Sequence, residues 1–494
     1  MTASGSHYSM GPGTHRVPMS MHADARRRLV ERLRRRGVPE RAVVVLQGGS
    51  QPHKYDSDRE LLFQQESFFQ YLFGVKEPGF FGAIEVATGR ATLFMPRLPE
   101  AWAVWMGRIH PPSHFEALYE VDEVRYADAI ENGLRELRPE VLLLLHGRNE
   151  DSGSFAAPAR FPGSDAFATD QDALFPELVE CRVAKSADEI EVLRYVNTVS
   201  CEAHVEVMRR CRPGLMEYQL EAAFLHSIYA SGGCRFSAYT SICGCGPHSA
   251  VLHYGHQGAP NDSALRDGDM FLTDCGGQYH GYASDITCSY PVNGRFTSEQ
   301  RAVYETVLAA NQAVQRAMRP GVAWTAMHRL AERTIAEGLR DVGILKGSVD
   351  DLVAHHLPAL FMPHGLGHLM GLDVHDVGGY PAGVSRIDEP GIRSLRCGRA
   401  LEAGMLITVE PGLYFIDALL EPALADSVTA RFLSTSVLER FRRLGGVRIE
   451  DDVLVTAGGS DNLTHVPRET DDIEAVMAGA AWTGRPVHEP VPDR

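Results

Sequence analysis

Short apolar runs separated by turn-forming residues indicate that the first third of the chain mixes strands and helices. Residues 42–46 and 141–145 are continuous apolar runs, which predict strands buried on both faces. Residues 83–95 predict a hairpin, and the arginine-rich stretch 24–36 predicts a helix with a solvated basic face. Together these elements predict an amino-terminal mixed α/β domain over residues 1–183.

The rest of the chain repeats one order of elements, which indicates an internal duplication. Residues 186–189 and 297–300 both have the form of a capping box, with a hydroxyl residue at the helix start and Glu or Gln three residues later. Each predicted helix stops at Arg-Pro-Gly and is followed by a second helix. The repeat predicts a second α/β domain with an internal pseudo-two-fold over residues 184–480, followed by a polar tail at 481–494.

In both repeats an apolar strand ends in an acid that is preceded by a glycine six residues earlier; the acids are Asp274 and Glu410. Asp274 also lies on one arm of a predicted hairpin whose other arm carries Asp285. With the turn at residues 279–281, the two aspartates are predicted to face each other, with Cβ atoms roughly 4.5–5.5 Å apart. Exposure to water, a shared proton or a bound cation would each relieve their repulsion.

Two later stretches add a histidine and another acid as candidate metal ligands. His364 and His368 are four residues apart in a glycine-rich stretch, but the glutamate of a zinc-protease helix is absent. Such a loop lets the backbone approach a ligand and leaves one imidazole available to bind a metal. Further on, alternation predicts that Arg448, Glu450 and Asp452 share one face of a strand. A salt bridge to Arg448 is an alternative to metal binding for Glu450.

The composition is that of an acidic globular protein. Of the 494 residues, 44% are hydrophobic and 23% are charged, and the net charge of −16 argues against nucleic acid or an anionic membrane as the main partner. The nine scattered cysteines favour reduced thiols over a disulfide framework. No secretory signal is visible in the first twenty residues, and no apolar window has the length of a membrane span. A cytoplasmic location is therefore expected.

Four carboxylates and one imidazole are too many ligands for a single open catalytic metal and too rich in oxygen for a structural zinc site. They suit two divalent ions, with Mn²⁺ as the natural candidate and Zn²⁺, Co²⁺ or Fe²⁺ as alternatives. Two such ions share carboxylates and activate a bridging water. The candidate ligands, in chain order, are Asp274, Asp285, His368, Glu410 and Glu450.

With these residues in place, the chain resembles the pita-bread-fold metallopeptidases of peptidase family M24. Within that family it is most similar to the prolidases, which are Xaa-Pro dipeptidases, and the resemblance covers all but about twenty residues at each end. The motifs that carry it are QESFFQYLFGV (65–75), SAVLHYGH (249–256), TDCGGQYHGYASDIT (273–287), MPHGLGHLMGLDVHD (362–376), TVEPGLYF (408–415) and GVRIEDD (446–452).

The resemblance implies a role for each metal ligand. Asp274 would bind one metal ion, while Asp285 and Glu450 would bridge both. His368 and Glu410 would complete the second ion, and Glu410 would also transfer a proton. A hydroxide bridging the two ions would attack the imide bond of an Xaa-Pro dipeptide.

The resemblance also implies residues that contact the substrate. Arg396 and His253 would bind the free carboxylate of the dipeptide, and His364 or His375 would donate a hydrogen bond to the developing oxyanion. Two further substrate-binding candidates, for which an ion pair or core packing is an equal explanation, are Tyr239 and Arg448. A homodimer is also implied, in which the amino-terminal domain helps to close the active site of the partner.

Several other functions use the same fold or the same ligands. The nearest is an aminopeptidase P-like enzyme that acts on longer peptides with proline second, and another is an organophosphate-hydrolysing relative. A non-catalytic binding module and a metal-free creatinase-like amidinohydrolase are disfavoured because all five metal ligands of the family are present.

Overall fold

A computed structural model describes residues 6–256 and 261–484, so most of the predicted polar tail at 481–494 lies outside the described residues. The chain divides into two compact units, Met1–Val192 and Leu193–Arg494, and the division falls within helix α7 (Ala187–Arg210). Within the described ranges, no helix combines the length and apolar character needed to cross a membrane.

The first unit is built on a six-stranded mixed sheet with the strand order β10-β7-β3-β4-β5-β6. Its strands are β1 (His7–Tyr8), β2 (Val17–Pro18), β3 (Ala42–Gln47), β4 (Phe81–Glu85), β5 (Ala91–Met95), β6 (Glu123–Tyr126), β7 (Val141–Leu144), β8 (Gly147–Arg148), β9 (Phe155–Ala156) and β10 (Thr169–Asp170). Its helices are α1 (Ser20–Arg36), α2 (Ser67–Phe73), α3 (Ala103–Met106), α4 (Pro112–Tyr119), α5 (Ile130–Glu136) and α6 (Leu174–Val183).

The apolar runs of this unit form the centre of its sheet, as the sequence predicts. β3 is buried from Ala42 to Leu46 and pairs in parallel with β7, which explains the continuous apolar runs at 42–46 and 141–144. β4 and β5 form the predicted antiparallel hairpin. Val43, Phe94 and Leu142 lie in one buried cluster with residues of α5, so the core of the unit sits between this sheet and that helix.

The second unit consists of small antiparallel sheets packed with long helices. Its strands are β11 (Phe236–Ser237), β12 (Ile242–Cys245), β13 (Met270–Asp274), β14 (Gly277–Tyr279), β15 (Tyr282–Ala283), β16 (Thr287–Pro291), β17 (Leu406–Val409), β18 (Gly412–Tyr414), β19 (Gly446–Arg448), β20 (Asp451–Val455) and β21 (Ser460–Asn462). Its remaining helices are α8 (Glu217–Gly232), α9 (Ser298–Ala317), α10 (Trp324–Asp341), α11 (Val349–Ala354), α12 (Asp417–Ala425), α13 (Thr435–Phe441) and α14 (Thr470–Met477).

The predicted repeat is visible in the order of these elements. Helices α7 and α8 precede the sheet β12-β13-β16, and helices α9 and α10 precede the sheet β17-β20-β21. Both predicted capping boxes are present: Ser186 and Glu189 exchange hydrogen bonds, and so do Thr297 and Gln300. Each half therefore contributes one three-stranded sheet, and candidate ligands lie in its strands or directly next to them.

The predicted register of the aspartate hairpin is wrong by two residues. β13 pairs with β16 so that Asp274 lies opposite Thr287, and β14 pairs with β15 so that Tyr279 lies opposite Tyr282. The turn therefore contains only His280 and Gly281, with φ angles of 49° and 87°. Positive φ at both central residues is the signature of a two-residue type I′ turn, which accounts for the glycine and for the shift in register.

The prediction of one continuous strand through residues 448–452 is also wrong. Arg448 ends β19, which pairs with β18, whereas Asp452 lies in β20, which pairs with β17 and β21. Glu450 lies between the two strands and forms an isolated antiparallel bridge with Thr287. This break brings the two three-stranded sheets together at Glu450.

Candidate metal centre and substrate cavity

Asp274 is held at the end of β13 by two side chains from distant parts of the second unit. The hydroxyl of Tyr239 donates to its Oδ1 at 2.5 Å, and Nη2 of Arg448 donates to its Oδ2 at 2.6 Å. The carboxylate itself is buried. Both oxygens therefore have fixed directions, and one guanidinium offsets the charge.

Asp285, His368 and Glu450 converge close to Asp274. One potential ligand atom from each of these three residues lies within 4.8 Å of the others. Nε2 of His368 is 3.4 Å from Oδ2 of Asp285 and 3.6 Å from Oε1 of Glu410. The structure thus brings four carboxylates and one imidazole together around one cavity.

The backbone before His368 explains how its ring reaches the cluster. A Cβ atom on Gly367 would lie 1.9 Å from the carbonyl oxygen of Thr408, so only glycine fits between the two segments. Nδ1 of His368 lies 3.1 Å from the carbonyl oxygen of Leu369, which can only accept, so Nδ1 carries the proton. The lone pair of Nε2 therefore faces the carboxylates, the arrangement that metal-binding histidines use.

The electrostatics of the cluster suit divalent cations. Burial, followed by repulsion from neighbouring carboxylates, raises the pKa of Asp285 and of Glu450 well above the ordinary range. Burial also raises the pKa of Glu410 to about 7, against the lowering effect of His368. Buried carboxylates in such a group must share protons or bind cations. Oxygen donors with one imidazole nitrogen fit Mn²⁺ and related ions, so the residues fit the predicted metal centre.

A second group of hydrogen bonds orients these ligands. The hydroxyl of Thr287 donates to Oε2 of Glu450 at 2.6 Å, and the hydroxyl of Thr408 donates to Oε1 of Glu410 at 3.2 Å. The backbone N–H of Asp285 donates to Oδ2 of Asp452 at 3.0 Å. The carboxylates of Glu450 and Glu410 therefore each have a hydroxyl partner, and the backbone of Asp285 is held by Asp452. The sequence reasoning missed both threonines, whose only signal is their position two residues from an acid.

The ring of His364 has protein partners on both nitrogens. Nδ1 lies 2.7 Å from the carbonyl oxygen of Gly365, so this nitrogen carries the proton. Nε2 must then accept the hydroxyl proton of Tyr414 at 3.1 Å, and that hydroxyl accepts from Nη1 of Arg448 at 2.7 Å. Burial is the main cause that lowers the pKa of His364 to about 3, so the ring is neutral. Tyr414 was also missed, although it lies in the quoted motif 408–415.

The cluster opens into a cavity of about 350 Å³ within the second unit. His253, His375 and Arg396 line it together with the metal-ligand candidates and with apolar walls from Ile242, Leu252 and Val374. Burial is the main cause that lowers the pKa of His375 to about 2, with further lowering by His368 and Arg396. Burial also lowers the pKa of His253, with further lowering by His256 and Arg396. Every residue predicted to bind metal or substrate borders this one cavity, whose full lining includes Tyr239, Asp274, Asp285, His364, His368, Glu410, Arg448 and Glu450.

Comparison with known proteins places this arrangement in a family. The model of metallopeptidase family M24 matches residues 191–457, and the model of the aminopeptidase P amino-terminal domain matches residues 22–142. The human Xaa-Pro dipeptidase is 56% identical over 478 residues, covering 97% of each chain. The Xaa-Pro dipeptidase of Rattus norvegicus is 54% identical over 96% of each chain. A probable Xaa-Pro aminopeptidase of Talaromyces marneffei is 35% identical over 94% of this chain and 98% of its own.

Solved structures of similar proteins agree with this result. Proline aminopeptidase P II from Yersinia pestis is 33% identical with a TM-score of 0.76, covering 93% of this chain and 99% of its own. Aminopeptidase P from E. coli with the inhibitor Pro-Leu is 30% identical with a TM-score of 0.76, covering 94% and 98%. The predicted α/β architecture with a pita-bread catalytic domain is therefore confirmed. The chain belongs to metallopeptidase family M24.

Proposed function

We propose that this chain is an Xaa-Pro dipeptidase that hydrolyses the imide bond of dipeptides with carboxy-terminal proline. The observation that carries the proposal is the single cavity in which the acid and histidine cluster meets Arg396 and His253. A carboxylate-binding arginine beside a hydrolytic centre suits a short substrate whose free carboxylate lies close to the scissile bond. The 56% identity to the human Xaa-Pro dipeptidase supports the same substrate class.

Two divalent ions, Mn²⁺ in preference to Zn²⁺, Co²⁺ or Fe²⁺, would be held by the five candidate ligands. Asp274 would bind one ion and Asp285 and Glu450 would bridge both, while His368 and Glu410 would complete the second. Bound at this site, such ions supply Lewis acidity and lower the pKa of a water molecule. The support for this assignment is the convergence of buried oxygen donors around a correctly oriented imidazole.

Glu410 is assigned to proton transfer. Its carboxylate lies inside the cluster, with Oε1 3.6 Å from Nε2 of His368, where it can accept a proton from the attacking water and pass that proton on. The proton is needed because the proline nitrogen, which carries no N–H in the substrate, leaves as an amine. The bond from Thr408 keeps Glu410 oriented at the end of β17.

The histidines of the cavity are assigned different roles in binding the substrate. Both nitrogens of His364 are engaged by Gly365 and Tyr414, so His375 is the better donor to the carbonyl oxygen as that oxygen gains charge. His375 is neutral because of its low pKa and therefore offers one N–H. Arg396 and His253 then bind the carboxylate of the dipeptide, while Tyr239 and Arg448 orient Asp274.

The second candidate is an aminopeptidase that removes a residue before proline from longer peptides. The similar solved structures of aminopeptidase P favour it, because they share the fold and the amino-terminal domain. Steady-state hydrolysis of Gly-Pro and Gly-Pro-Ala separates the two. A dipeptidase prefers Gly-Pro in kcat/KM by about a hundredfold or more, since the proline carboxylate that Arg396 and His253 would bind is an amide in Gly-Pro-Ala. Equal or better cleavage of Gly-Pro-Ala would favour the aminopeptidase instead.

We further infer a homodimer in the cytoplasm. The exposed apolar segment of the first unit, defined as Trp102, Val104, Trp105 and Met106, supports association, and the segment would help to close the partner's active site. All nine cysteines are buried and free, which suits a reducing compartment.

A further inference from the structure

Glu217 is a fully buried carboxylate in the first turn of α8, and it accepts hydrogen bonds on both oxygens. Oε1 accepts from the backbone N–H of Cys245 at 2.8 Å, and Nδ1 of His248 lies 3.4 Å away. Oε2 accepts from the hydroxyl of Tyr254 at 2.8 Å and from the backbone N–H of Ser263 at 3.0 Å. A buried carboxylate with this many donors fixes the segments that supply them.

Those donors belong to the two flanks of the segment that carries His253. Cys245 ends β12 just before the segment, Tyr254 follows His253 directly, and Ser263 lies beyond it. The attachment at Ser263 is reciprocal, because the backbone N–H of Glu217 donates to its carbonyl oxygen at 2.9 Å. A single side chain on α8 therefore anchors the backbone at Cys245 before His253, the side chain of Tyr254 after it and the backbone at Ser263.

A second carboxylate, one turn further along the helix, strengthens the same attachment. Oε2 of Glu221 accepts from Nδ2 of Asn261 at 2.9 Å, and Oδ1 of Asn261 accepts from the backbone N–H of Cys243 at 3.1 Å. Asn261 adopts a φ of 54°, a conformation that asparagine tolerates better than most residues. Helix α8 is thus the frame on which the His253 segment is held.

We propose that Glu217 is a positioning residue that sets the preference for substrates with a free carboxylate by fixing His253. The inference rests on the proposed function, in which His253 and Arg396 bind the carboxylate of the dipeptide. His253 is exposed at the cavity, and its ring stacks on His256 with centroids 5.5 Å apart. The rigidity that carboxylate binding needs therefore comes from the neighbouring bonds to Glu217, which are the hydroxyl of Tyr254 and the backbone N–H groups of Cys245 and Ser263.

Glutamine cannot replace Glu217 without loss. The amide group has one acceptor oxygen, so its NH₂ group would face either the N–H of Cys245 or the N–H of Ser263. One buried donor would lose its acceptor, and the segment would move to relieve the conflict. Tyr254→Phe is milder, because it removes one donor and leaves the carboxylate bound to both backbone groups.

The test compares Gly-Pro with Gly-Pro-amide, which lacks the carboxylate, in the metal-loaded full-length enzyme. The ratio of their kcat/KM values measures how strongly the carboxylate is recognised. We expect Glu217→Gln to lower this ratio about tenfold, mainly through KM for Gly-Pro, and Tyr254→Phe to lower it about threefold. Glu206→Gln, which alters an exposed carboxylate paired with Arg210, should leave the ratio unchanged.

A double mutant makes the assignment to His253 specific. If Glu217 acts through His253, Glu217→Gln causes no further fall of the ratio in a His253→Ala background. Thermal unfolding and bound metal are measured for each variant, and if Glu217→Gln does not fold, Tyr254→Phe decides. An unchanged ratio, or an equal loss for both substrates, would overturn the proposal. Wild-type enzyme that fails to cleave Gly-Pro would instead overturn the proposed function, and with it this assignment.

Discussion

The carboxylates of the candidate metal centre are unusual because their charges repel one another in the absence of a cation. Asp285, Glu410 and Glu450 are buried together, and each has a raised pKa. Nε of Arg448 lies 3.9 Å from Oε2 of Glu450, but the two shortest hydrogen bonds of the guanidinium go to Asp274 and Tyr414. The metal-free cluster therefore favours protonated acids, and bound divalent ions favour the ionised form.

This charge balance predicts how the stability of metal-free enzyme depends on pH. Glu410 is protonated in folded and unfolded chains below its ordinary pKa of 4.5, but between that value and about 7 only the folded chain keeps the proton. The free energy of unfolding therefore falls as pH rises through this window, by on the order of 3 kcal/mol from Glu410 alone. We expect the Tm of stripped enzyme to drop between pH 5 and pH 8, measured by calorimetry, and Mn²⁺ to reverse the drop. A Tm that rises over this range would contradict the prediction.

At the same scale, the sequence indicated the candidate ligands but not the residues that hydrogen-bond to them. All five candidate ligands border one cavity. They stand out in the sequence because acids at strand ends and a histidine among glycines have few structural uses. Thr287, Thr408 and Tyr414 were missed because hydroxyl side chains in apolar strands resemble ordinary core residues. Their function is visible only when chain segments far apart in sequence are brought together, as in the Thr287 bond to Glu450.

At the scale of elements, Arg468 joins the two acid-bearing sheets of the second unit. Its guanidinium is buried and donates to the carbonyl oxygen of Thr287 at 2.7 Å and to that of Glu450 at 2.5 Å. It also contacts Oδ1 of Asp451 at 2.7 Å. One side chain thus fixes the spacing between β16 and the start of β20, where the two halves of the metal centre meet.

Removing this link should weaken metal binding more than it weakens the fold. We expect Arg468→Gln to lower the affinity for Mn²⁺ by 10–100-fold, as outer-shell changes at metal sites do, and Arg468→Lys to lower it less. Isothermal titration of stripped protein measures the affinity, and circular dichroism checks that the variant folds. Arg301→Gln is a matched control, since Arg301 pairs with Asp471 and Glu474 on the exposed side of α14. Wild-type affinity in folded Arg468→Gln would refute the role.

The strand pattern predicted most elements of the fold but not their register. A turn assumed at residues 279–281 placed Asp274 opposite Asp285, whereas the two-residue His280-Gly281 turn puts Thr287 there. Turn length decides register, and a two-residue shift in register keeps the same side chains on each face, so the apolar pattern does not reveal it. The break between Arg448 and Asp451 was hidden for the same reason, because an interrupted strand keeps the alternation of a continuous one.

At the scale of the whole molecule, the exposed apolar segment predicts self-association. Val104, Trp105 and Met106 expose 80%, 84% and 65% of their surfaces, which is rare for adjacent large apolar residues in a monomer. We expect Trp105→Asp to shift the wild-type dimer to monomer in sedimentation velocity. Val428→Asp, a change at an exposed apolar residue of the second unit, should leave the dimer intact. A monomeric wild-type protein, or an unaffected Trp105→Asp dimer, would contradict the expectation.

The proposed function requires the acid and histidine cluster to be a dinuclear metal centre that hydrolyses Xaa-Pro dipeptides. The most direct measurement is Gly-Pro hydrolysis by metal-stripped enzyme during titration with Mn²⁺, with bound metal counted by elemental analysis. We predict no activity in stripped enzyme, full activity at two ions per chain, and persistent inactivity in folded Asp285→Ala. Full activity without metal, or none after two ions have bound, would contradict the claim.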